Sequence, residues 1–194
     1  MSYGWLAADP SPHDTINGFK IDRVKFPTRF EEYKFALEML ATVPTGVLVD
    51  AGAGFNPEIH NFAYMAESQG WTVLATDANA ESLNMPHASK VTRWLEDIVT
   101  GIHTRGLEVD AYCCISTLEH LQPTQQIVMM ETIAETVRPG GIVVLTADFM
   151  APKRLAALLR YGGFEVGEVE ALRGEYLVPR VAWAVARKPE ALRK

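Results

Sequence analysis

The chain has 194 residues, of which 48% are hydrophobic and 22% charged, and a formal net charge of −6. That size suits one domain able to bury a full core without disulfide or metal staples, and no run of about 18 apolar residues offers a membrane span. The acidic balance with scattered Lys and Arg argues against a nucleic-acid partner, because phosphate contacts need clustered cations; the densest basic stretch, 187–194, reads as a solvated end.

Residues 1–10 lack a basic start followed by an apolar run, so no secretory leader is expected there. The cysteines, Cys113 and Cys114, are adjacent. In a strand they would face opposite sides and could not bond to each other. Two thiols without a partner suit a reducing, cytoplasmic location. They cannot build a cysteine-only zinc site, and no metal is expected.

Residues 1–25 carry Gly, Pro, Asp and Ser with little periodicity and read as a loop-rich arm. A helix follows to residue 40. Thr28 with Glu31 forms a capping-box pattern, and Phe30, Tyr33, Leu37 and Leu40, with Ala36 beside them, recur at helical spacing. Residues 46–50 are a short apolar strand. Asn56-Pro57-Glu58 has the cap, first-turn proline and acid that open a helix, expected to run to about residue 69 before Gly70. Strands are expected at 71–76 and 91–95, with a short helix over 77–85 between them.

A fourth strand fits 109–115 and a helix 124–137. Pro139-Gly140-Gly141 reads as a turn before a strand at 142–146, and residues 152–161 form a helix closed by Gly162-Gly163. Two β-rich segments, 164–172 and 181–187, have no helix between them and read as an antiparallel pair. Trp71, Trp94 and Trp183 and both cysteines are expected in the core. Five β-α units and a final hairpin imply an α/β sandwich of three layers, αβα, around a mostly parallel sheet. A ligand would bind beyond the strands' carboxyl ends.

The strongest chemical signal is Val47-Leu48-Val49-Asp50-Ala51-Gly52-Ala53-Gly54, an apolar strand, an acid and a Gly-x-Gly turn. The glycines permit a tight turn and close backbone approach to a ligand. The amides of the helix start suit an anion such as a carboxylate. A dinucleotide fingerprint would want glycine where Pro57 stands. The plainer reading is a glycine turn without function, which leaves Asp50 unexplained. Asp77 closes the second strand in Thr76-Asp77-Ala78-Asn79. It can accept both hydroxyls of a ribose or cap the following helix; the upstream turn favours ribose.

In this order the residues resemble the class I S-adenosylmethionine-dependent methyltransferases, small-molecule-methylating variety, over roughly residues 45–187. Val47 to Gly54 is similar to that family's first motif and Asp77 to its ribose-binding acid. Glu96-Asp97-Ile98 is similar to its adenine loop, and Ile115-Ser116-Thr117-Leu118-Glu119-His120-Leu121 to its fourth-strand motif. Arg138-Pro139-Gly140-Gly141 and Tyr161-Gly162-Gly163-Phe164 complete the series. The resemblance implies seven strands in the order 3-2-1-4-5-7-6, strand 7 antiparallel, with S-adenosyl-L-methionine as cofactor. It divides the chain into an arm and helix (1–44), a core (45–187) and a tail (188–194).

The resemblance also implies cofactor contacts from Asp50, Ala51, Gly52 and Gly54 at the methionine side, Asp77 and Ala78 at the ribose, Asp97 and Ile98 at the adenine, and Ser116 beyond the fourth strand. Asn56 and Pro57 depart from the small residues usual after the second glycine, and the alternative for Asp97 is a solvated loop acid.

A sulfonium methyl is already activated, so alignment supplies most of the catalysis. His120, at the mouth after the fourth strand, is the candidate base, imidazole being suited to proton transfer near neutrality. Glu119 and His120 are otherwise the start of the next helix, with Glu119 capping loop amides. Tyr3, Trp5, His13, Phe26 and Arg29 could close over the cofactor, Arg29 pairing with its carboxylate, or simply pack the first helix. Asp148 and Phe149 share the acceptor rim.

Sparse insertions suit a small-molecule acceptor, or a partner protein that completes the site, with residues 173–180 helping to shape the pocket. The rivals are a nucleic-acid or protein methyltransferase, for which residues 115–119 lack an Asn-Pro-Pro-Tyr-like motif, a non-catalytic cofactor-binding subunit, and a dehydrogenase.

Overall fold

Residues buried on both faces mark the middle of the sheet and fix the layers around it. A computed structural model of the chain describes residues 13–16, 19–22, 26–54, 61–83, 90–171 and 181–190. Five parallel strands, β3 (Val47–Ala51), β4 (Thr72–Asp77), β5 (Thr92–Leu95), β6 (Val109–Ile115) and β7 (Val137–Asp148), are joined by β8 (Glu165–Ala171) and β9 (Val181–Arg187). The order across the sheet is β5-β4-β3-β6-β7-β9-β8, and β9 runs antiparallel to both neighbours. Counted from β3, this is the expected 3-2-1-4-5-7-6 arrangement. β6 lies at the centre and is apolar almost throughout, as a strand covered on both faces must be.

Alternation along the strands divides the core in two. Leu48, Val73, Ala111, Cys113 and Val144 face α1 (Pro27–Leu40) and α2 (Phe62–Ser68). Val49, Tyr112, Cys114, Val143 and Leu145 face α3 (Pro123–Thr136) and α4 (Pro152–Tyr161). The two cysteines therefore lie in different halves of the core, and burial pushes both thiols up from their ordinary range. Trp71 is buried and Trp183 stacks on Phe35 with centroids 4.3 Å apart. Trp94, expected in the core, is instead half-buried on the edge strand β5 and tilted against His103. No helix among the described residues is long and apolar enough to cross a membrane.

Several local expectations are corrected. The arm contains a hairpin, β1 (His13–Ile16) paired antiparallel with β2 (Phe19–Asp22), and Ile16 and Ile21 bury against the α1 side of the core. Runs of four residues are easily passed over as loop. The Thr28 capping box does not form, because α1 begins at Pro27, whose fixed φ and missing N–H suit a first helical position. The cap at residues 56–58 lies outside the described residues.

The described helix α2 starts instead at Asn61, which is extended and accepts from the Ala63 N–H, so no continuous helix runs from 56 to 69. Among the described residues between β4 and β5, a 3₁₀ turn covers Ala80–Leu83. The Pro139-Gly140-Gly141 turn is absorbed into a longer β7 with a register shift opposite Val109 and Ala111. The Gly140 N–H donates to the Lys188 carbonyl and the Lys188 N–H to the Gly141 carbonyl, each at 2.9 Å, which ties that stretch beside the end of β9.

Candidate functional site

The turn after β3 is held by contacts that its sequence half announces. Gly52 has φ +68°, and a Cβ there would fall 2.4 Å from Thr117 Oγ1, so glycine is needed for the turn to rest against the exit of β6. Gly54 has φ +51°, and a Cβ there would meet the Gly52 carbonyl oxygen at an ordinary 3.8 Å. The Gly54 N–H donates to Asp77 Oδ2 at 3.0 Å, while the Asn79 N–H donates to Asp77 Oδ1 at 2.8 Å. Asp77 thus ties β3's turn to the end of β4, and each carboxylate oxygen retains a second acceptor direction. From the other side, Asn61 Nδ2 donates to the carbonyls of Ala53 and Gly54.

A cleft of about 430 Å³ opens above this turn, walled by Asp50, Gly52, Gly54, Ser116, Arg29 and Tyr33, among others. Asp50 is buried, and its Oδ2 has no hydrogen-bond partner. Burial pushes its carboxyl up to about 7; the Asp77 charge adds to this and Arg29 opposes it. A carboxylate in this state would welcome a cation or a strong donor.

The opposite wall is assembled from distant segments. Glu32 of α1 is completely buried. Its Oε1 accepts from Ser116 Oγ and Thr146 Oγ1, each at 2.5 Å, and its Oε2 pairs with Arg29 Nη1 at 3.0 Å. Burial raises the Glu32 carboxyl, while Arg29 and the two hydroxyls oppose that rise. For Arg29, burial would lower the guanidinium, but Glu32, Tyr33, Asp148 and Glu119 outweigh it and the net direction is upward. Ser116 and Phe149, at the exits of β6 and β7, both adopt left-handed backbone, φ +44° and +56°. Such conformations store strain and gather at functional sites.

Beyond β6 a 3₁₀ turn, Leu118–His120, presents Glu119 and His120. Glu119 Oε1 accepts from the Asp148 N–H at 3.0 Å. Burial raises the carboxyls of both Glu119 and Asp148, and one oxygen of each, Oε2 and Oδ1, is shielded without a partner. His120 is exposed and close enough to lower both acids electrostatically. Gln126 of α3 fixes this turn, donating to the carbonyls of Leu118 and Leu121. Farther along the rim, Phe149, Met150, Ala151, Pro152 and Ala171 wall a second, largely apolar cleft of about 500 Å³.

No protein-family model matches the sequence, and no curated protein matches it either. Solved structures do match. The 1,6-didemethyltoxoflavin-N1-methyltransferase of Burkholderia thailandensis aligns over 87% of this chain and 82% of its own, with 18% identity and a TM-score of 0.67. The N-methyltransferase NodS of Bradyrhizobium japonicum aligns over 84% and 98%, with 15% identity and a TM-score of 0.69. A SAM-dependent methyltransferase of Archaeoglobus fulgidus aligns over 86% and 97%, with 14% identity and a TM-score of 0.68. The chain has the class I methyltransferase fold. The Burkholderia structure holds S-adenosylhomocysteine together with 1,6-didemethyltoxoflavin.

On this methyltransferase fold the sequence-predicted residues separate into groups. Asp50, Gly52, Gly54 and Ser116 wall the cleft, and Asp77 is bonded to its floor through Gly54. Arg29 and Phe26 join them from α1 and its cap, whereas Tyr3 and Trp5 lie outside the described residues. The Ala51 side chain is buried in the core half facing α3, and Ala78 is exposed beyond β4. Asp97 is exposed, its Oδ1 accepting from the Val99 N–H in a turn, and the Ile98 side chain is buried. Neither walls the cleft.

Three positioning groups escaped the sequence reading: Glu32, Asn61 and Gln126. Glu32 left one trace, an acid lying inside the apolar stripe between Phe30, Tyr33 and Ala36. Asn61 and Gln126 are ordinary polar residues whose partners are backbone carbonyls, and no pattern marks those.

Proposed function

We propose that the chain is an S-adenosylmethionine-dependent methyltransferase that passes the methyl group to a small-molecule acceptor by in-line displacement. The observation that carries this reading is a single cleft walled both by buried Asp50, whose Oδ2 has no hydrogen-bond partner, and by the Arg29 guanidinium. An amino-acid head group carries an ammonium for the first and a carboxylate for the second. Gly54, on the cleft wall without a side chain, admits backbone-close ligand atoms, and the spare acceptor directions of Asp77 suit ribose hydroxyls. Adenine would lie farther along the same rim, toward the Asp97 side chain and the Ile98 backbone.

The cofactor supplies an activated sulfonium methyl; the protein's work is to orient donor and acceptor and to manage a proton. Alignment at about 3 Å is the larger contribution. His120 is the candidate base, held at the rim by a turn that Gln126 fixes. Glu119 and Asp148, within electrostatic range of His120, would favour the imidazolium that forms when it takes a proton. The apolar cleft beside Phe149 gives room for the body of the incoming molecule. The structural neighbours that act on small molecules, as the toxoflavin-precursor enzyme does, support this acceptor class. The buried thiols fit a cytoplasmic setting.

Incubation with S-adenosylmethionine carrying a labelled methyl, against a panel of small amines and phenols, tests the reading. Label in a small-molecule product supports it. Label confined to added RNA or protein, or none transferred by chain that binds the cofactor, contradicts it.

A further inference from the structure

Glu32 is the most completely buried charge at the site, yet it does not wall the cleft. Its two oxygens face different tasks. Oε1 is seated by hydroxyls from Ser116 and Thr146, at the exits of the adjacent strands β6 and β7. Oε2 is left to Arg29, one helical turn earlier on α1. Arg29 in turn walls the cleft, with its side chain 32% exposed.

A long, partly exposed arginine has many rotamers, and ordering one costs free energy. Arg29 also lies within electrostatic range of Asp148 and Glu119, which would draw the guanidinium along the rim. A carboxylate placed in the core without any role would be a poor choice, since burying charge is expensive even when it is paired. We infer that Glu32 is a positioning residue: seated by Ser116 and Thr146, it holds the Arg29 guanidinium toward the cleft in the orientation that receives the cofactor's carboxylate.

This rests on the proposed cofactor site, and the test separates the two. S-adenosylhomocysteine and 5′-methylthioadenosine share the nucleoside and the thioether, but only the former has the amino-acid end. Calorimetry on the full chain compares both ligands with wild type, Glu32→Gln, Arg29→Ala and the double variant. Glu32→Gln keeps the volume and a hydroxyl acceptor while removing the anion. It is expected to weaken S-adenosylhomocysteine about tenfold, the scale of one charge-assisted contact, and to leave methylthioadenosine within about twofold. On the Arg29→Ala background the same change should cost S-adenosylhomocysteine less than about twofold.

Equal loss for both ligands, no loss for either, or a full tenfold loss without Arg29 overturns the positioning role while leaving the cofactor site standing. Wild-type chain that binds neither ligand removes the cofactor site and this role with it. If Glu32→Gln does not fold, Thr146→Val decides through the seat: a loss of about threefold for S-adenosylhomocysteine alone supports the role, and equal or no loss for the two ligands overturns it.

Discussion

The two walls of the cleft are built in different ways. On the β3–β4 side a glycine turn, Asp77 and Asn61 are joined through backbone amides and carbonyls, all within residues 50–79. On the β6–β7 side the contacts are between side chains far apart in sequence, Glu32 reaching Ser116 and Thr146 across 84 and 114 positions. A wall of backbone groups presents fixed donors and acceptors and suits a constant ligand. A wall of side chains pivoting on one buried acid can be changed residue by residue, and it suits the variable partner of the reaction. Under the proposed function, the first wall would receive the nucleoside and the second would handle the carboxylate and the acceptor.

The largest expected effect tests the backbone wall. Gly52→Val places side-chain atoms against Thr117 and forces a branched residue to φ +68°. S-adenosylhomocysteine affinity should fall at least about 100-fold, with a lowered melting temperature. Normal binding by a folded variant would show that the turn does not shape the site.

Next comes the side-chain wall. His120→Ala should cut turnover about 100-fold while leaving S-adenosylhomocysteine affinity within about twofold. Unchanged turnover in single-turnover kinetics would remove His120 as the base, and an equal loss of cofactor affinity would move it to the nucleoside side of the comparison.

Asp77→Ala is expected to weaken S-adenosylhomocysteine and methylthioadenosine alike, about 10- to 100-fold, because it strands the Gly54 and Asn79 amides and, in the proposed site, the ribose hydroxyls as well. Loss for S-adenosylhomocysteine alone, in the same calorimeter, would assign Asp77 to the amino-acid end instead.

The smallest effect is one of stability, at Asp50, where the walls meet. Its carboxyl is raised from 3.8 to about 7 in the fold, so the folded chain holds this proton more tightly than the unfolded chain does. The resulting stability is complete below 3.8 and is lost as pH climbs to about 7. Asp50→Asn should therefore melt higher than wild type above pH 7, by about 2–4 °C for each kcal/mol relieved, and should flatten the wild-type decline between those limits. Parallel melting curves for the two proteins across that range would show that Asp50 ionises freely.

The same difference between the walls explains what the sequence disclosed. The β-α alternation and the Asp50-to-Gly54 turn are local patterns, so the strands and the glycine turn of the first wall were legible; the sheet order came with the family resemblance, and Asn61, which clamps that turn, was not foreseen. The arm hairpin was missed because its four-residue strands gain their stability from α1 rather than from their own pattern. The Thr28 capping box was a reasonable local signal, but α1 begins at a proline that needs no donor, and α2 at an asparagine that also clamps the glycine turn. Glu32 was hidden because its meaning depends on partners that meet it only after the sheet is formed.

Isothermal calorimetry of the full chain with S-adenosylhomocysteine, with NADH as control, tests the central claim most directly. The account predicts one saturable site for S-adenosylhomocysteine, and none for NADH. Well-folded protein that gives no binding heat with S-adenosylhomocysteine at several temperatures would contradict it.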